Sequence, residues 1–254
     1  MRITIKIGSN VLTRTDGSLD VTRMSALVDQ IAQLRTMGHE IILVSSGAVA
    51  SGRSELKHIL HDLDSVDQRQ LFSAVGQAKL MNRYFELFRE YGIAVGQVLT
   101  TKENFNDTEH RTNQQNCLRV MLENAVLPIV NENDTVSITE LMFTDNDELS
   151  GLIAQMTQSQ MLIILSNLDG IYTGDPASPE SRLISIVKPG KDLSDYIQPG
   201  RSSAGRGGMQ SKSTVAARTV EAGISVIIAN GKRPDILIHL MNNRDNTPCT
   251  EFLC

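Results

Sequence analysis

Short apolar runs of strand length alternate with longer segments of helical period along this chain. That is the pattern of an open, largely parallel sheet covered by helices on both faces, a three-layer αβα sandwich of the α/β class. Residues 3–7 predict the first strand. Asp20 as N-cap and apolar Met24, Leu27, Val28, Ile31 and Leu34 at helical spacing predict a helix through Met37, stopped by Gly38. A second strand at 41–44 ends at Ser45-Ser46-Gly47-Ala48, where a helix starts. Ser65-Val66-Asp67-Gln68 reads as a capping box opening a long helix towards Tyr91. A strand at 95–99, a helix at 112–123 and a fourth strand at 126–130 follow, with Asn131-Glu132-Asn133-Asp134 coming directly off its end.

The pattern continues with a hairpin at 136–143, a helix capped by Asp145-Asn146-Asp147 and running to 158, and a strand at 162–165. A turn-rich stretch at 167–179 leads towards the glycines around Gly205, a helix to 222 ended by Gly223, and a strand at 225–229. Prolines 176, 179, 189 and 199 make 176–200 the most loop-like segment, suited to a lid over a site. No internal repeat divides the chain, so residues 1–254 are expected to form one domain.

Composition sharpens this picture by exclusion. With 41% hydrophobic and 21% charged residues the chain is ordinary for a globular protein. Its formal charge of −5 gives no support to a nucleic-acid or anionic-membrane partner, which needs a basic surface. Cys117, Cys249 and Cys254 are odd in number and lack metal-ligand spacing, the usage of a reduced, cytoplasmic chain. Cys117 is expected in the core of its helix. A strand-like segment follows Met1 at once, so no secretory leader is expected. The longest apolar runs are too short to span a bilayer. His58 and His61 share a helix face without further ligands and read as solvated rather than metal-binding.

The candidate chemistry gathers where the pattern places strand ends. In open α/β sheets ligands bind outside the carboxyl ends of the strands. Gly8-Ser9-Asn10, Ser45-Ser46-Gly47, Asn131 to Asp134 and Ser166-Asn167 all fall there. Any one alone reads equally well as turn chemistry. Gly205-Arg206-Gly207-Gly208-Met209-Gln210-Ser211-Lys212 places three glycines and a lysine where a helix starts, an arrangement that holds a polyphosphate. Lys6 lies inside an apolar strand, where a charge is costly unless paired or functional. Either it snorkels to solvent from a strand edge, or it joins Lys212 as a second cation on a transferring phosphoryl group. In the second case Asp147 or Asp145 would hold the two lysines.

Lys6-Ile7-Gly8-Ser9, Ser45-Ser46-Gly47-Ala48, Asn131-Glu132-Asn133-Asp134, Asp145-Asn146-Asp147 and Gly207-Gly208-Met209 through Lys212 stand in the order seen in the amino acid kinase family. The chain resembles that family along nearly its whole length, including Ala74-Val75-Gly76-Gln77 and Tyr172-Thr173-Gly174-Asp175-Pro176. Within it, the resemblance is to the branch that phosphorylates the side-chain carboxylate of L-glutamate with ATP and Mg²⁺, the first step of proline biosynthesis. By this resemblance Lys6 and Lys212 contact the ATP phosphates and Asp147 orients both lysines. Gly8 and Ser9 form a phosphate-facing turn. Ser46, Asp134 and Asn146, with Gly47 and Asp145 nearby, bind glutamate. Ser166, Asn167 and the run Arg206, Gly207, Gly208, Met209, Gln210, Ser211, Lys212 bind the nucleotide, Mg²⁺ arriving on the ATP phosphates.

The resemblance also implies a glutamate-binding part over about 1–160, a nucleotide-binding part over about 161–254, a homo-oligomer and feedback inhibition by proline. It implies a kinase domain without the RNA-binding type of C-terminal domain often seen in the family. Ser166-Asn167 replaces a usual Thr-Asp pair, and Arg206 stands where threonine is usual. An acetylglutamate, aspartate or carbamate kinase, or a catalytically silent amino-acid sensor on the same fold, are the alternatives.

Overall fold

Strand β1 (Arg2–Ile7) explains much of the architecture. Its Ile3, Ile5 and Ile7 face one side of a sheet and Thr4 and Lys6 the other, and all five are buried. A strand covered on both faces belongs in the middle of an α/β sandwich. The computed structural model describes residues 1–56, 61–137, 143, 145–191, 193, 196 and 208–254.

After β1 the chain runs through α1 (Ser9–Leu12), α2 (Val21–Thr36), β2 (Glu40–Ser45), α3 (Ala48–Glu55), α4 (Ser65–Arg89) and β3 (Val95–Thr100). It continues through α5 (Glu103–Asn106), α6 (Thr108–Glu123), β4 (Leu127–Glu132), α7 (Asn146–Met156) and β5 (Met161–Ser166). The remainder is β6 (Ile171–Tyr172), β7 (Leu183–Ile184), β8 (Ile186–Val187), α8 (Met209–Glu221), β9 (Ser225–Asn230), α9 (Ile236–Asn242) and β10 (Cys249–Phe252). Eight strands form the main sheet in the order β3-β4-β2-β1-β5-β9-β10-β8. All its neighbours pair in parallel except β9 and β10, which are antiparallel. The chain moves from β1 to one side through β2 and to the other through β5, so the strand order reverses at β1.

One face of the sheet carries α2, α4 and α9, packed through residues such as Leu27, Tyr84 and Leu237 onto Ile3, Ile5 and Ile163. The opposite face carries α6 and α7 over Ile42 and Val44, and α8 over Ile164 and Ile228. This is the three-layer sandwich with a mainly parallel sheet that the pattern predicts. Among the described residues no helix is long and apolar enough to cross a membrane.

Helices α3 and α4 touch backbone to backbone. A Cβ on Gly76 would lie 1.8 Å from the Ala48 carbonyl oxygen, and one on Gly52 1.8 Å from that of Phe72. Both crossings require the absence of a side chain. Gly76→Ala is expected to destabilise the protein by about 1–3 kcal/mol through overpacking. A lowered urea midpoint at unchanged slope would show it; an unchanged midpoint would mean that the two helices separate freely.

Several local expectations shift. The N-cap of α4 is Asp64, whose carboxylate accepts from the N–H groups of Val66 and Asp67 at 2.8 Å each. A charged acceptor serving two N–H groups displaces the Ser65 hydroxyl from that role, and Gln68 donates instead to the Leu63 carbonyl. Helix α6 begins earlier than 112, because Asp107 caps it by accepting from His110 N–H. Asn131 and Glu132 are the last residues of β4 rather than lying beyond it. Cys117 is exposed, not core: α6 buries Gln114 and Leu118, and Cys117 lies off that face. His61 is exposed, whereas His58 falls outside the described residues. The expected hairpin at 136–143 lies largely outside them too. In the proline-rich segment, residues 183–187 form β7 and β8, while much of 192–207 is not described.

Candidate active site

Lys6 does not reach solvent. Its register partners are Val44 of β2 and Ile164 of β5, so it occupies the centre of the sheet, and its side chain is 6% exposed. The polar face of β1 is roofed by α7. There Thr4 meets the Ser159 hydroxyl at 2.9 Å, and Lys6 Nζ lies 2.6 Å from Asp147 Oδ1. Lys212, in the first turns of α8, donates from Nζ to the other oxygen, Asp147 Oδ2, at 2.8 Å. One fully buried carboxylate thus holds two buried ammonium groups, one on each oxygen. Burial alone would push Asp147 up, but the Lys6 and Lys212 charges and their contacts more than offset it and hold the carboxyl at about 2.

Asp147 reaches this position because Asp145 fixes the start of α7. Asp145 is the N-cap, and its Oδ1 accepts from Asp147 N–H at 2.8 Å and Glu148 N–H at 3.0 Å. Burial and the neighbouring Asp147 charge raise the Asp145 carboxyl above its ordinary value, opposed by a Ser211 hydrogen bond and by Lys6. Between the two, Asn146 donates to Ser46 Oγ at 3.0 Å and to Asn131 Oδ1 at 2.9 Å. The Ser46 N–H is held on the Ile7 carbonyl at 3.1 Å, and Gly47 turns the chain into α3 at φ +106, a conformation open to glycine.

These groups line one cavity of about 800 Å³ at the carboxyl ends of β1, β2, β4 and β5. Of the sequence-predicted site residues, Lys6, Gly8, Ser9, Ser46, Gly47, Asp134, Asp145, Asn146, Asp147, Ser166, Asn167 and Lys212 all line it. Gly208 is the N-cap of α8, and Met209, Gln210 and Ser211 form its first turn; these four are not among the lining residues, although Ser211 hydrogen-bonds Asp145, which is. Arg206 and Gly207 lie outside the described residues.

Two observations bear on whether a nucleotide phosphate fits. No side chain among the described residues caps α8, so its first-turn N–H groups are available to an anion beside Lys212. A Cβ on Gly8 would lie 3.1 Å from the Leu165 carbonyl oxygen and in contact with Lys6 Nζ at 3.5 Å, so the bare glycine leaves room beside the lysine.

Sequence reasoning missed Arg69. It projects from α4, lines the cavity, and pairs with Glu132 Oε2 at 3.0 Å and with Asp134. Nothing in its helical spacing marks it, because α4 carries other arginines of similar appearance at Arg83 and Arg89. Its guanidinium offsets the charge of the two acids, so the cavity is less negative than its carboxylates imply. Lys232, beyond β9, was missed as well and lines the same cavity.

The sequence profile of the amino acid kinase family matches residues 1–230. The chain belongs to the amino acid kinase family. Among its relatives, this amino acid kinase is 68% identical over 252 residues to glutamate 5-kinase of Bacteroides thetaiotaomicron, covering 99% of the chain and 70% of that protein. It is 47% identical to glutamate 5-kinase of Chlorobaculum tepidum, covering 93% of the chain and 65% of that protein. The chain therefore spans about two thirds of the length of these relatives. In fold it resembles carbamate kinase from Giardia lamblia bound to AMP-PNP, with a TM-score of 0.68 at 15% identity, covering 99% of this chain and 98% of that one.

Proposed function

We propose that this amino acid kinase transfers the γ-phosphoryl group of ATP to the side-chain carboxylate of L-glutamate, giving L-glutamyl 5-phosphate, the first step of proline biosynthesis. The observation that carries the reading is the buried Lys6–Asp147–Lys212 arrangement in a cavity that also holds amino-acid-sized polar groups. The 68% identity to a glutamate 5-kinase over 99% of the chain supports the choice of substrate. The glutamate-binding part lies within about 1–160 and the nucleotide-binding part within about 161–254, with Lys6, Gly8 and Ser9 of the first part also meeting the ATP phosphates. The enzyme works in the cytoplasm as a homo-oligomer inhibited by proline, as the family resemblance implies.

The chemistry needs no protein base. The glutamate side chain, with an ordinary pKa of about 4.3, is already ionised at neutral pH. One of its oxygens forms a bond to Pγ as the bond from Pγ to the ADP oxygen breaks, and ADP leaves with that electron pair. The protein's task is to bring two anions together in line and to neutralise charge as it moves. Lys6 and Lys212 face the transferring group from the two sides of Asp147. Gly8, Ser9, Ser166, Asn167 and the α8 N-terminus, with Arg206 and Gly207 before it, hold the nucleotide. Mg²⁺ carried on the phosphates supplies further charge neutralisation to the departing ADP oxygens. Asp134 pairs with the substrate α-ammonium while Ser46, held by Asn146, and the backbone at Gly47 hold carboxylate oxygens.

Incubation with Mg-ATP and a panel of acidic amino acids, trapping acyl phosphate with hydroxylamine, tests the reading. A hydroxamate is expected from glutamate and not from aspartate. N-acetylglutamate, which lacks the ammonium, is expected to react at least about 10²-fold less efficiently, because Asp134 would be left facing a neutral amide. Equal turnover of glutamate and N-acetylglutamate would overturn the role given to Asp134.

A further inference from the structure

Three side-chain amides form a chain from helix α4 to the substrate side of the cavity. Gln77 Oε1 accepts from Asn131 Nδ2 at 2.9 Å, and Asn131 Oδ1 accepts from Asn146 Nδ2 at 2.9 Å. An amide can face either way in isolation, since its oxygen and nitrogen are nearly the same size. Here one fixed backbone group decides every orientation. The Glu132 N–H can only donate, and it points at Asn131 at 2.9 Å, so that atom of Asn131 must be the oxygen. Asn131 therefore turns its nitrogen to Gln77, which must answer with oxygen. Asn146 must in turn offer its nitrogen to Asn131, and the same nitrogen meets Ser46 Oγ at 3.0 Å.

The chain has one output. Asn146 lines the cavity with its amide nitrogen on Ser46 Oγ, while its Oδ1 is buried without a hydrogen-bond partner among the described residues. At the other end Gln77, 9% exposed, is left with a buried Nε2 that also lacks a partner among them. A buried donor without a partner is unfavourable. Turning Gln77 over would place two donors face to face at Asn131, so the unpartnered nitrogen is the consequence of keeping Asn131 and Asn146 in register.

We propose that Gln77 is a positioning residue that acts through Asn131 to hold the Asn146 amide, and with it the Ser46 hydroxyl, in place at the glutamate end of the cavity. The identity of the ligand at that end rests on the glutamate reading above; the orientation of the amides does not. Gln77 touches no reacting atom, and it sits in Ala74-Val75-Gly76-Gln77, where Gly76 seats α4 directly on α3. The close helix crossing fixes the depth at which Gln77 meets Asn131.

The test joins a substrate-free readout to kinetics. In Gln77→Met, Asn131 loses its acceptor. The side-chain amide protons of Asn131 and Asn146 are expected to shift in ¹H–¹⁵N spectra and exchange faster with solvent, without any ligand present. The KM for glutamate is expected to rise about tenfold, the typical consequence of one lost buried hydrogen bond, with the KM for ATP unchanged. Gln77→Glu keeps an acceptor at the same reach and is expected to restore both signals. Unchanged amide protons and glutamate KM in Gln77→Met would overturn the proposal. So would a parallel rise of both KM values that tracks a fall in melting temperature and is not rescued by Gln77→Glu. Gln77-dependent amide protection in a protein that turns over no glutamate would support the amide chain and overturn the substrate reading alone.

Discussion

Lys212→Ala is expected to lower kcat by about 10²–10³-fold while leaving a folded protein, the usual effect of removing one preorganised charge donor from a transferring group. Folding survives because Asp147 keeps Lys6 at 2.6 Å as a counter-ion, so the deletion does not strand a bare buried carboxylate. The cap on α7 rests on Asp145 and is untouched. The KM for glutamate should move little, since Lys212 enters from α8 on the nucleotide side. Steady-state kinetics alongside a thermal melt would check this. Near-wild-type turnover would mean that Lys212 only neutralises Asp147.

Asp147→Asn is expected to damage both activity and stability. The substitution keeps the size of the side chain but leaves two ammonium groups, each 10% exposed or less, without their shared charge. Removing one partner of a buried ion pair costs about 3–5 kcal/mol. With both lysines displaced, kcat should fall by at least about 10²-fold, the scale set by misplacing a reacting group by about 1 Å. The pH dependence has a definite sign. The folded carboxyl sits at about 2, below its ordinary 3.8, so its contribution to stability is complete above the ordinary value and lost as pH falls through the folded one. The gap between wild type and Asp147→Asn in chemical denaturation should therefore stay constant down to about pH 4 and close only as pH approaches 2. A gap that closes near pH 6 would place the responsible proton on another group.

The sandwich was legible because its central strands are short apolar runs and its longer helices are strongly periodic. Met24, Leu27, Val28, Ile31 and Leu34 are all buried on α2 as their spacing predicts. Both cavity lysines were conspicuous for opposite reasons, Lys6 as a charge among isoleucines and Lys212 as a charge behind glycines. What stayed hidden depends on pairing across the sheet or on competition within a turn. β8 is only two residues long and gains its place through β10, which no local pattern announces. Ser65 and Asp64 are both competent caps, and only the three-dimensional path of the chain selects the carboxylate. Arg69 and Gln77 act through contacts 63 and 54 residues away, with Glu132 and Asn131. Nothing near either residue in the sequence marks such a partner.

The two cations on Asp147 are supplied by opposite ends of the chain, from β1 and from α8. At a ribosomal rate of about 5–20 residues per second, Lys6 is made roughly 10–40 s before Lys212. From the moment Asp147 is made until Lys212 follows, the nascent chain holds an aspartate with half of its counter-charge. In the proposed reading, phosphoryl transfer is thus withheld from every nascent chain that has not yet passed Lys212.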